Sequence, residues 1–361
     1  MQATQQQKFG ALNLLQNCLD VQSGQSVLLV CEPDDSFYNN DVIHIVEQES
    51  IRLGATTRIV KPALIKGPEA FPDSLADEVD KTDHTIFFSR IGDNIRFTKI
   101  RGQGSKTICY ALDAELLASA FCTTPHNIMQ EILDHLLDDM DSANEWHITC
   151  PLGTDLKGTF QNQGSRRTIK DNAFTLGTFP VVIFPPIPCD TMSGRAVITH
   201  WLSATSNHHY EPANLVLDHP VSVFVENGKI LEFESDATTI ANVRRHYGHV
   251  GSLFDIKPYN VHSWHAGVNP MTYYPHPAVE NIERWGSVAF ASPRYTHFHT
   301  CGDYPPGEIA WSMFDTTIYI DDKKYWEDGE FVYLEHFALE NHSINSALHN
   351  STQTTKYIGI D

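Results

Sequence analysis

The order of strand and helix patterns in residues 1–143 is the strongest constraint on what this chain can fold into. Short apolar runs of strand length alternate there with segments whose apolar residues recur at helical spacing. The predicted strands are residues 26–31, 57–60, 84–89 and 106–110, and the predicted helices are residues 5–20, 40–53, 73–80 and 127–140. This alternation predicts an α/β fold with a mostly parallel sheet and helices on its faces.

Residues 144–361 carry a different pattern, in which short strands are separated by turns rich in Gly, Pro, Asn and Asp. The predicted strands are residues 146–150, 181–184, 221–225, 230–233, 287–291 and 316–320, with one helix at about 237–247. Asn227-Gly228, between two of these strands, predicts a tight hairpin. We therefore expect an N-terminal α/β domain at 1–143 and a β-rich C-terminal domain at 144–361. The two should pack closely, since no Pro- or Gly-rich linker separates them.

The charge and cysteine content exclude several classes of partner. A formal net charge of −20 argues against nucleic acid and anionic membranes, since both need a basic surface. No apolar run approaches the ~20 residues of a membrane-spanning helix, and the polar start does not resemble a secretory signal. The seven cysteines are widely spaced and contain no C-x-x-C pair, which fits a reducing compartment better than a disulfide framework. We expect a cytoplasmic protein that acts on a small molecule.

Two groups of histidines mark the C-terminal half as a candidate metal site. Residues 295–308 read Tyr-Thr-His-Phe-His-Thr-Cys-Gly-Asp-Tyr-Pro-Pro-Gly-Glu, and His262-Ser-Trp-His265 lies just upstream. Imidazole and carboxylate groups are the ligands that hold Zn, Mn or non-heme iron. His297 and His299 are two residues apart, so on an extended strand they share a face and both approach one metal.

The other polar residues of these two segments are candidates either for metal ligands or for residues that lie beside the metal. His262 and His265 are three apart and face opposite ways on a strand, so we expect one ligand there, His265. Glu308 follows a rigid Pro-Pro-Gly turn and enters a strand, which makes it the carboxylate candidate. Asp303 is the alternative carboxylate, and His262 and Asp303 are the candidates for a catalytic or supporting role beside the metal. The predicted ligands are therefore His265, His297, His299 and Glu308. The choices between His297 and His299 and between His262 and His265 are left open, and Cys301 is the lowest-ranked alternative, because a thiolate is unusual in an oxygen-activating triad.

Two arginines and an aspartate are the candidates for substrate binding. Arg294 lies three residues before the histidine pair, where its guanidinium would hold a substrate carboxylate through two hydrogen bonds. The alternative for Arg294 is a surface ion pair. Arg195 is a candidate of the same kind. Asp155 would either orient a ligand or cap a loop through nearby backbone N–H groups.

A succession of short motifs in residues 145–335 resembles one enzyme superfamily. In chain order these motifs are Gly153-Thr-Asp-Leu156, Phe179-Pro180, Pro185-Pro186, Ser193-Gly194-Arg195, the hairpin at 224–230, Gly267-Val-Asn-Pro270, Trp285-Gly-Ser-Val-Ala-Phe and Ile320-Asp321-Asp322. The set resembles the thermophilic-type metallo-aminopeptidases, aminopeptidases T and S. It is also similar to their oxygenase relatives, typified by 2,5-dihydroxypyridine 5,6-dioxygenase. The resemblance implies an aminopeptidase T-like fold, a metalloenzyme and a homo-oligomer, most simply a C₂ dimer.

The resemblance also implies metal ligands that this chain lacks. The aminopeptidases hold two metals, and their first glutamate matches the segment 179–184, which contains no acid. Their second acid falls at 263–265, where this chain has Ser-Trp-His, and their strand histidine matches 286–289, which contains none. Their final His-x-Asp pair matches Glu308-Ile-Ala310. The dioxygenase relatives use one iron with two histidines and an aspartate, so the resemblance implies that Glu308 replaces that aspartate.

The ligand composition favours the oxygenase branch. Two or three histidines with one carboxylate match the facial triad of non-heme Fe(II) oxygenases, whereas a two-metal hydrolytic site needs more anionic ligands. We predict a mononuclear Fe(II)-dependent oxygenase or oxidase that uses O₂ on a small polar acid, either amino-acid-derived or a hydroxylated aromatic. Zn and Mn are the alternative metals. The alternative functions are a metal-dependent aminopeptidase with an altered ligand set and a non-catalytic descendant that binds a small molecule.

Overall fold

In a computed structural model, which describes residues 3–160, 175–205, 210–335 and 357–360, the first half of the chain forms a parallel sheet with flanking helices. Its strands are β1 (Ser26–Cys31), β2 (Thr56–Val60), β3 (His84–Phe88), β4 (Ser105–Cys109) and β7 (Gly177–Phe179), in the spatial order β2-β1-β3-β4-β7. The helices are α1 (Gln5–Leu12), continued by a π-helix at Asn13–Cys18, and α2 (Asn40–Arg52), α3 (Asp73–Asp80), α4 (Ile91–Ile95), α5 (Ala114–Ala118), α6 (Ala120–Thr123) and α7 (His126–Ser142). All four strand pairs are parallel, so the predicted α/β arrangement is confirmed.

The second half forms two antiparallel sheets. One contains β8 (Ile187–Pro188), β10 (Trp201–Ala204), β11 (Asn214–Val216), β14 (Val261–Ala266), β15 (Tyr295–Cys301) and β16 (Glu308–Phe314), in the order β11-β10-β16-β15-β14-β8. The other contains β5 (Glu145–Thr149), β6 (Asp155–Thr159), β9 (Ser193–Ile198), β12 (Val221–Glu226), β13 (Lys229–Glu234), β17 (Thr317–Ile320) and β18 (Lys323–Trp326), in the order β13-β12-β9-β6-β5-β17-β18. The β12–β13 hairpin turns at Asn227-Gly228, both with positive φ, as that dipeptide predicts.

Two predicted strands of the second half are wrong. Residues 181–184 form only an isolated bridge between Ile183 and Gly267, and residues 287–291 are not extended. Helix α9 (Ile282–Ala289) occupies most of that segment and begins at Asn281, whose side chain accepts a hydrogen bond from the Arg284 amide. Trp285, Val288 and Ala289 are its buried residues and recur at helical spacing. A short apolar run fits a strand and a buried helix equally well until tertiary contacts are known. The helix predicted at 237–247 is confirmed and is longer, α8 (Ala237–Phe254).

Two features cross the proposed boundary near residue 143. Strand β7 lies beyond it in sequence yet pairs with β4. Helix α7 lies before it, yet its apolar face belongs to the core that also contains both antiparallel sheets. In the same way α9 and the start of β15 pack into the core of the parallel sheet. The division into 1–143 and 144–361 stays a prediction, but the halves share their cores.

Helices of the described part of the chain do not combine the length and apolar character that a bilayer-crossing segment needs. The fold positions the histidine-bearing strands β14 and β15 next to each other, against the helix α9 that packs on the parallel sheet.

Gly267 provides a test of this arrangement. It follows β14 directly, and a Cβ atom there would lie 2.1 Å from the Ala291 carbonyl carbon, in the chain leaving α9. We expect Gly267→Ala to lower the free energy of unfolding by about 1–3 kcal/mol, because the backbone must move apart. The matched control is Gly248→Ala in α8, where a Cβ meets nothing within 4 Å and alanine favours the helix by ~0.5–1 kcal/mol. Equal urea midpoints for the two variants would contradict the close approach.

Candidate metal centre

Three histidine side chains project from neighbouring strands onto one face of an antiparallel sheet. His265 on β14 lies directly opposite His297 on β15, and His299 lies two residues farther along β15. Since side chains alternate across a strand, His297 and His299 point to the same side, and their partner His265 joins them. The prediction that the two β15 histidines share a face is confirmed. All three are buried, with exposures of 3%, 7% and 6% respectively.

The three rings converge closely enough to share one metal ion. One nitrogen from each of His265, His297 and His299 lies within 4.8 Å of the others. The Nε2 atoms of His265 and His299 are 3.1 Å apart. Histidine nitrogens bind zinc at ~2.0–2.1 Å, so two that share a metal are about 3.0–3.4 Å apart. The observed separation fits a shared ion.

The hydrogen bonds behind the cluster decide which nitrogens are protonated. His265 Nδ1 donates to the Phe184 carbonyl oxygen at 3.3 Å. His299 Nδ1 donates to the Glu308 carboxylate at 2.7 Å. With Nδ1 of each ring donating to these acceptors, the two facing Nε2 atoms are directed towards each other and into the cluster. A metal ion between them would accept a lone pair from each, in place of the hydrogen bond that the two rings can otherwise share.

Burial keeps the His265 and His297 rings neutral. Burial in the sheet lowers the pKa of His265 and His297 well below the usual value, and the neighbouring imidazoles lower it further. Both rings are therefore uncharged at neutral pH, and one nitrogen of each is available as a ligand. His297 Nδ1 is buried without a hydrogen-bond partner among the described residues. A buried nitrogen in that state costs free energy unless something else satisfies its ring, and a metal ion is such a partner.

Glu308 lies behind His299 instead of beside it as a fourth member of the cluster. It is 2% exposed, and its two carboxylate oxygens accept from His299 Nδ1 and from the Thr205 hydroxyl. The Tyr210 hydroxyl also donates to its backbone carbonyl oxygen at 2.7 Å. A carboxylate on the outer nitrogen of a ligand histidine orients the ring and raises its basicity. The geometry gives Glu308 that supporting place, which differs from the ligand position predicted for it.

The cluster opens into a cavity of about 120 Å³ between the two halves of the chain. The antiparallel sheet contributes the histidines together with Ser203, Thr205 and Ala310. Aromatic side chains form much of the remaining wall, namely Phe97, Tyr110, Trp285, Phe290 and Tyr295. Ala310 lies opposite His299 on β16, so its small side chain leaves room in front of the cluster. A mostly apolar cavity with a few converging polar groups is the usual form of a small-molecule site.

Two of the predicted neighbours lie on the other side of β14. His262 Nε2 donates to the Cys301 carbonyl oxygen at 2.9 Å, and its Nδ1 is 3.5 Å from Asp303. The Asp303 side chain is 67% exposed. Of the His262–His265 pair, only His265 joins the cluster, as the alternation along a strand predicts. The structure brings His262 and Asp303 to each other but not into the cavity wall.

The three predicted substrate-binding residues are also absent from the described cavity wall. Arg294 forms a two-point ion pair with Asp315, at 2.7 and 2.9 Å, as the surface-pair alternative predicts. Arg195 donates to the Ser222 hydroxyl in the other antiparallel sheet. Asp155 lies opposite Arg195 on the neighbouring strand and accepts from His147 at 2.7 Å. None of these contacts reaches the three-histidine cluster.

Sequence reasoning missed the part of the wall that comes from the parallel sheet. Asp93 and Arg96 follow β3 in the chain and line the cavity together with Tyr110, which follows β4. Ligands of parallel α/β sheets bind beyond the carboxyl ends of the strands. That rule would have selected these residues, had the metal candidates not drawn attention to the C-terminal half alone.

Comparison with known proteins shows the fold. No family model and no curated protein matches the sequence. The structure is similar to 2,5-dihydroxypyridine dioxygenase from Pseudomonas putida KT2440, with a TM-score of 0.61 and 13% identity over 92% of this chain and 98% of that chain. It is also similar to wild-type AmpT from Thermus thermophilus, with a TM-score of 0.51 and 11% identity over 91% and 98% of the two chains. The predicted aminopeptidase T-like fold is confirmed. Both of these structurally similar proteins are enzymes.

A substitution series tests the cluster. His265→Ala, His297→Ala and His299→Ala should each abolish stoichiometric binding of Zn(II), because each removes one of three ligands. Glu308→Gln should retain one metal per chain with an affinity about 10–100-fold lower, as expected for a residue that orients a ligand. Titration calorimetry and metal analysis after dialysis give both quantities.

The matched control is His262→Ala, which removes an imidazole from the same strand on its opposite face. Its metal content should equal that of the wild type. Loss of metal from His262→Ala, or full affinity in His299→Ala, would show that the ion is held elsewhere.

Proposed function

We propose that this protein is a mononuclear metalloenzyme whose metal is held by His265, His297 and His299. The observation that carries the proposal is the convergence of three buried imidazoles, in which the Nε2 atoms of His265 and His299 face each other 3.1 Å apart. Their protons are held on the far side of each ring by the Phe184 carbonyl oxygen and Glu308. The arrangement is prepared for a cation before one binds, which is how ligand histidines are usually oriented.

We further propose that the metal is Fe(II) and that the reaction is an oxidation of a small polar acid by O₂. A site that offers three protein ligands leaves coordination positions open, and Fe(II) in such a site binds substrate and O₂ there. The similarity to a dioxygenase at the higher of the two TM-scores supports this choice. Among the residues that the structure describes, the cluster also contains no carboxylate, whereas a two-metal hydrolytic site needs anionic ligands to bridge its cations.

The residues around the cluster have separate tasks in this proposal. Phe184 and Glu308 hold the outer protons of His265 and His299, so that these rings keep one orientation. Trp285, Phe290 and Tyr295 line the cavity and exclude water from the reacting groups. The Tyr295 ring also stacks on His297, with an interplanar angle of 15°, which fixes the third imidazole.

A zinc- or manganese-dependent hydrolase is the second candidate. Three histidines are also the ligand set of catalytic zinc in carbonic anhydrase, where the ion lowers the pKa of bound water. The similarity to AmpT supports a peptidase in particular. Assembly as a homodimer, small-molecule specificity and a cytoplasmic location stay predictions.

The test begins with protein purified without oxygen. We expect about one metal per chain, and Fe(II) reconstitution should give O₂ consumption with at least one member of a panel of small amino and hydroxyaromatic acids. An oxygen electrode measures uptake, and chromatography of the acid measures its loss. Zn-loaded protein and the Fe-treated His299→Ala variant are the controls, and neither should consume O₂.

The same preparations should then be assayed with aminoacyl p-nitroanilides. Release of nitroaniline by Zn- or Mn-loaded protein, with no O₂ uptake by the iron form, would replace the oxygenase with the hydrolase. One bound metal with neither activity would indicate a non-catalytic binding protein. Absence of metal from all preparations would overturn the metalloenzyme proposal itself.

A further inference from the structure

Arg96 is a cationic side chain in the wall of the cavity. It follows helix α4 and lines the same cavity as the three histidines. Among the described residues of that wall it is the one Arg or Lys side chain. Its side chain is 16% exposed, so water screens the electrostatic interaction of its charge with groups in the cavity only weakly.

The position of Arg96 is fixed by contacts of its backbone and its side chain. Its carbonyl oxygen accepts from the amide and the hydroxyl of Thr175, at 2.8 and 2.9 Å. Its guanidinium carbon lies 5.1 Å from the centre of the Phe97 ring. The Asp93 Oδ1 atom lies 3.6 Å from the Arg96 Nη1 atom. This is an ion pair whose separation is longer than that of a hydrogen bond. A guanidinium held in place loses little freedom when it binds a ligand.

The acidic residues of the same wall have defined partners. Asp93 accepts a hydrogen bond from the Tyr110 hydroxyl at 2.7 Å. Glu283 lies 3.3 Å from Arg90, which also forms a two-point pair with the buried Glu32. Glu283 therefore belongs to an ion-pair network with Arg90 and Glu32, which do not line the cavity, whereas Asp93 stays beside Arg96.

The charge at the histidine end of the cavity is positive once a metal is bound. Imidazole ligands bring no negative charge, so the two positive charges of a divalent ion would be offset from outside the cluster, by Glu308 behind His299 and by Asp93 and Glu283 on the wall. Arg96 adds a positive charge on the same cavity, and its charge contributes to the lowered pKa of His265 and His297. An anion bound between the ion and Arg96 would face both of these positive charges at once.

The shape of the wall specifies the rest of the ligand. The aromatic side chains of Trp285, Phe290 and Tyr295 line the cavity. Its volume of about 120 Å³ suits a small molecule. Aromatic walls favour a flat apolar body. A guanidinium at one side of that body matches a carboxylate, with which it forms two parallel hydrogen bonds.

We infer that Arg96 is the residue that binds the substrate, and that the substrate is a small carboxylate with a flat apolar body placed between Arg96 and the three-histidine cluster. This inference rests on the proposed metal site and names the substrate class for it. It assigns to Arg96 the role that the sequence analysis gave to Arg294.

The test uses full-length protein loaded with Zn(II), which does not react with O₂, at 0.15 M salt. The probes are benzoate and phenylacetate, with the neutral benzamide and phenylacetamide as their controls. Calorimetry should show that wild type binds the carboxylates more tightly than the amides. Arg96→Gln should weaken carboxylate binding about 10–100-fold, the usual effect of losing a hydrogen-bonded charge pair, and leave amide binding unchanged.

Two further variants control for folding and charge. Arg101→Gln makes the same change at an exposed arginine that pairs with Asp77, and it should bind all four probes as wild type does. Arg96→Lys keeps the charge without the planar fork, so carboxylate affinity should be intermediate. If Arg96→Gln does not fold, a wild-type affinity for benzoate in Arg96→Lys overturns the inference, and an intermediate affinity supports it.

Zinc content separates failure of the inference from failure of the metal site. One zinc per chain with equal carboxylate affinity in wild type and Arg96→Gln overturns the role of Arg96 and leaves the metalloenzyme intact. One zinc per chain with no carboxylate binding by wild type has the same meaning. Absence of zinc overturns the metal site and the inference that rests on it.

Discussion

The site depends on the pairing of strands β14 and β15, because that pairing places His265 opposite His297 and sets His299 on the same face. The side-chain period of a strand is two, so a shift of one residue would turn every histidine to the opposite face. Two interactions then fix the rings, the bond from His265 to the Phe184 carbonyl oxygen and the bond from His299 to Glu308. The strands bring three imidazoles together, and the acceptors behind two of them direct the Nε2 atoms of His265 and His299 towards each other.

The cavity in front of the cluster belongs to both halves of the chain. The antiparallel sheet supplies the histidines, while the parallel sheet supplies Asp93 and Arg96 beyond the end of β3. Helix α9 joins the halves, since Trp285 lies in the core of the parallel sheet and also lines the cavity. The residues that line it come from segments far apart in the sequence, from Asp93 to Ala310, so the cavity forms only when the whole fold has formed. This explains why two closely packed halves are needed for one cavity.

Local patterns predicted the local features well. Alternating apolar runs identified the parallel sheet, Asn227-Gly228 identified a hairpin, and the spacing of His297 and His299 placed both on one face. The errors concern contacts that spacing does not contain. A run of apolar residues at 287–291 fitted a strand but packs as the helix α9. Glu308 accepts a hydrogen bond from His299 Nδ1, a contact that its spacing in the sequence does not contain, and its role as a ligand stays a prediction. Arg294 is close to the histidines in sequence, whereas Arg96 is close to them in space.

A ligand set of three imidazoles differs in charge from a triad of two imidazoles and one carboxylate, and this difference affects which substrate charge the site would favour. A triad with one carboxylate leaves a divalent ion with a single positive charge, whereas three imidazoles leave it with two. The whole chain carries a charge of −20, but surface charge is screened within about 8 Å at physiological salt and does not alone set the potential inside the cavity. The local charges matter more, and with a divalent ion bound these would be the ion and Arg96, offset by Asp93, Glu283 and Glu308. The net charge of the whole protein therefore does not decide whether the cavity binds an anion.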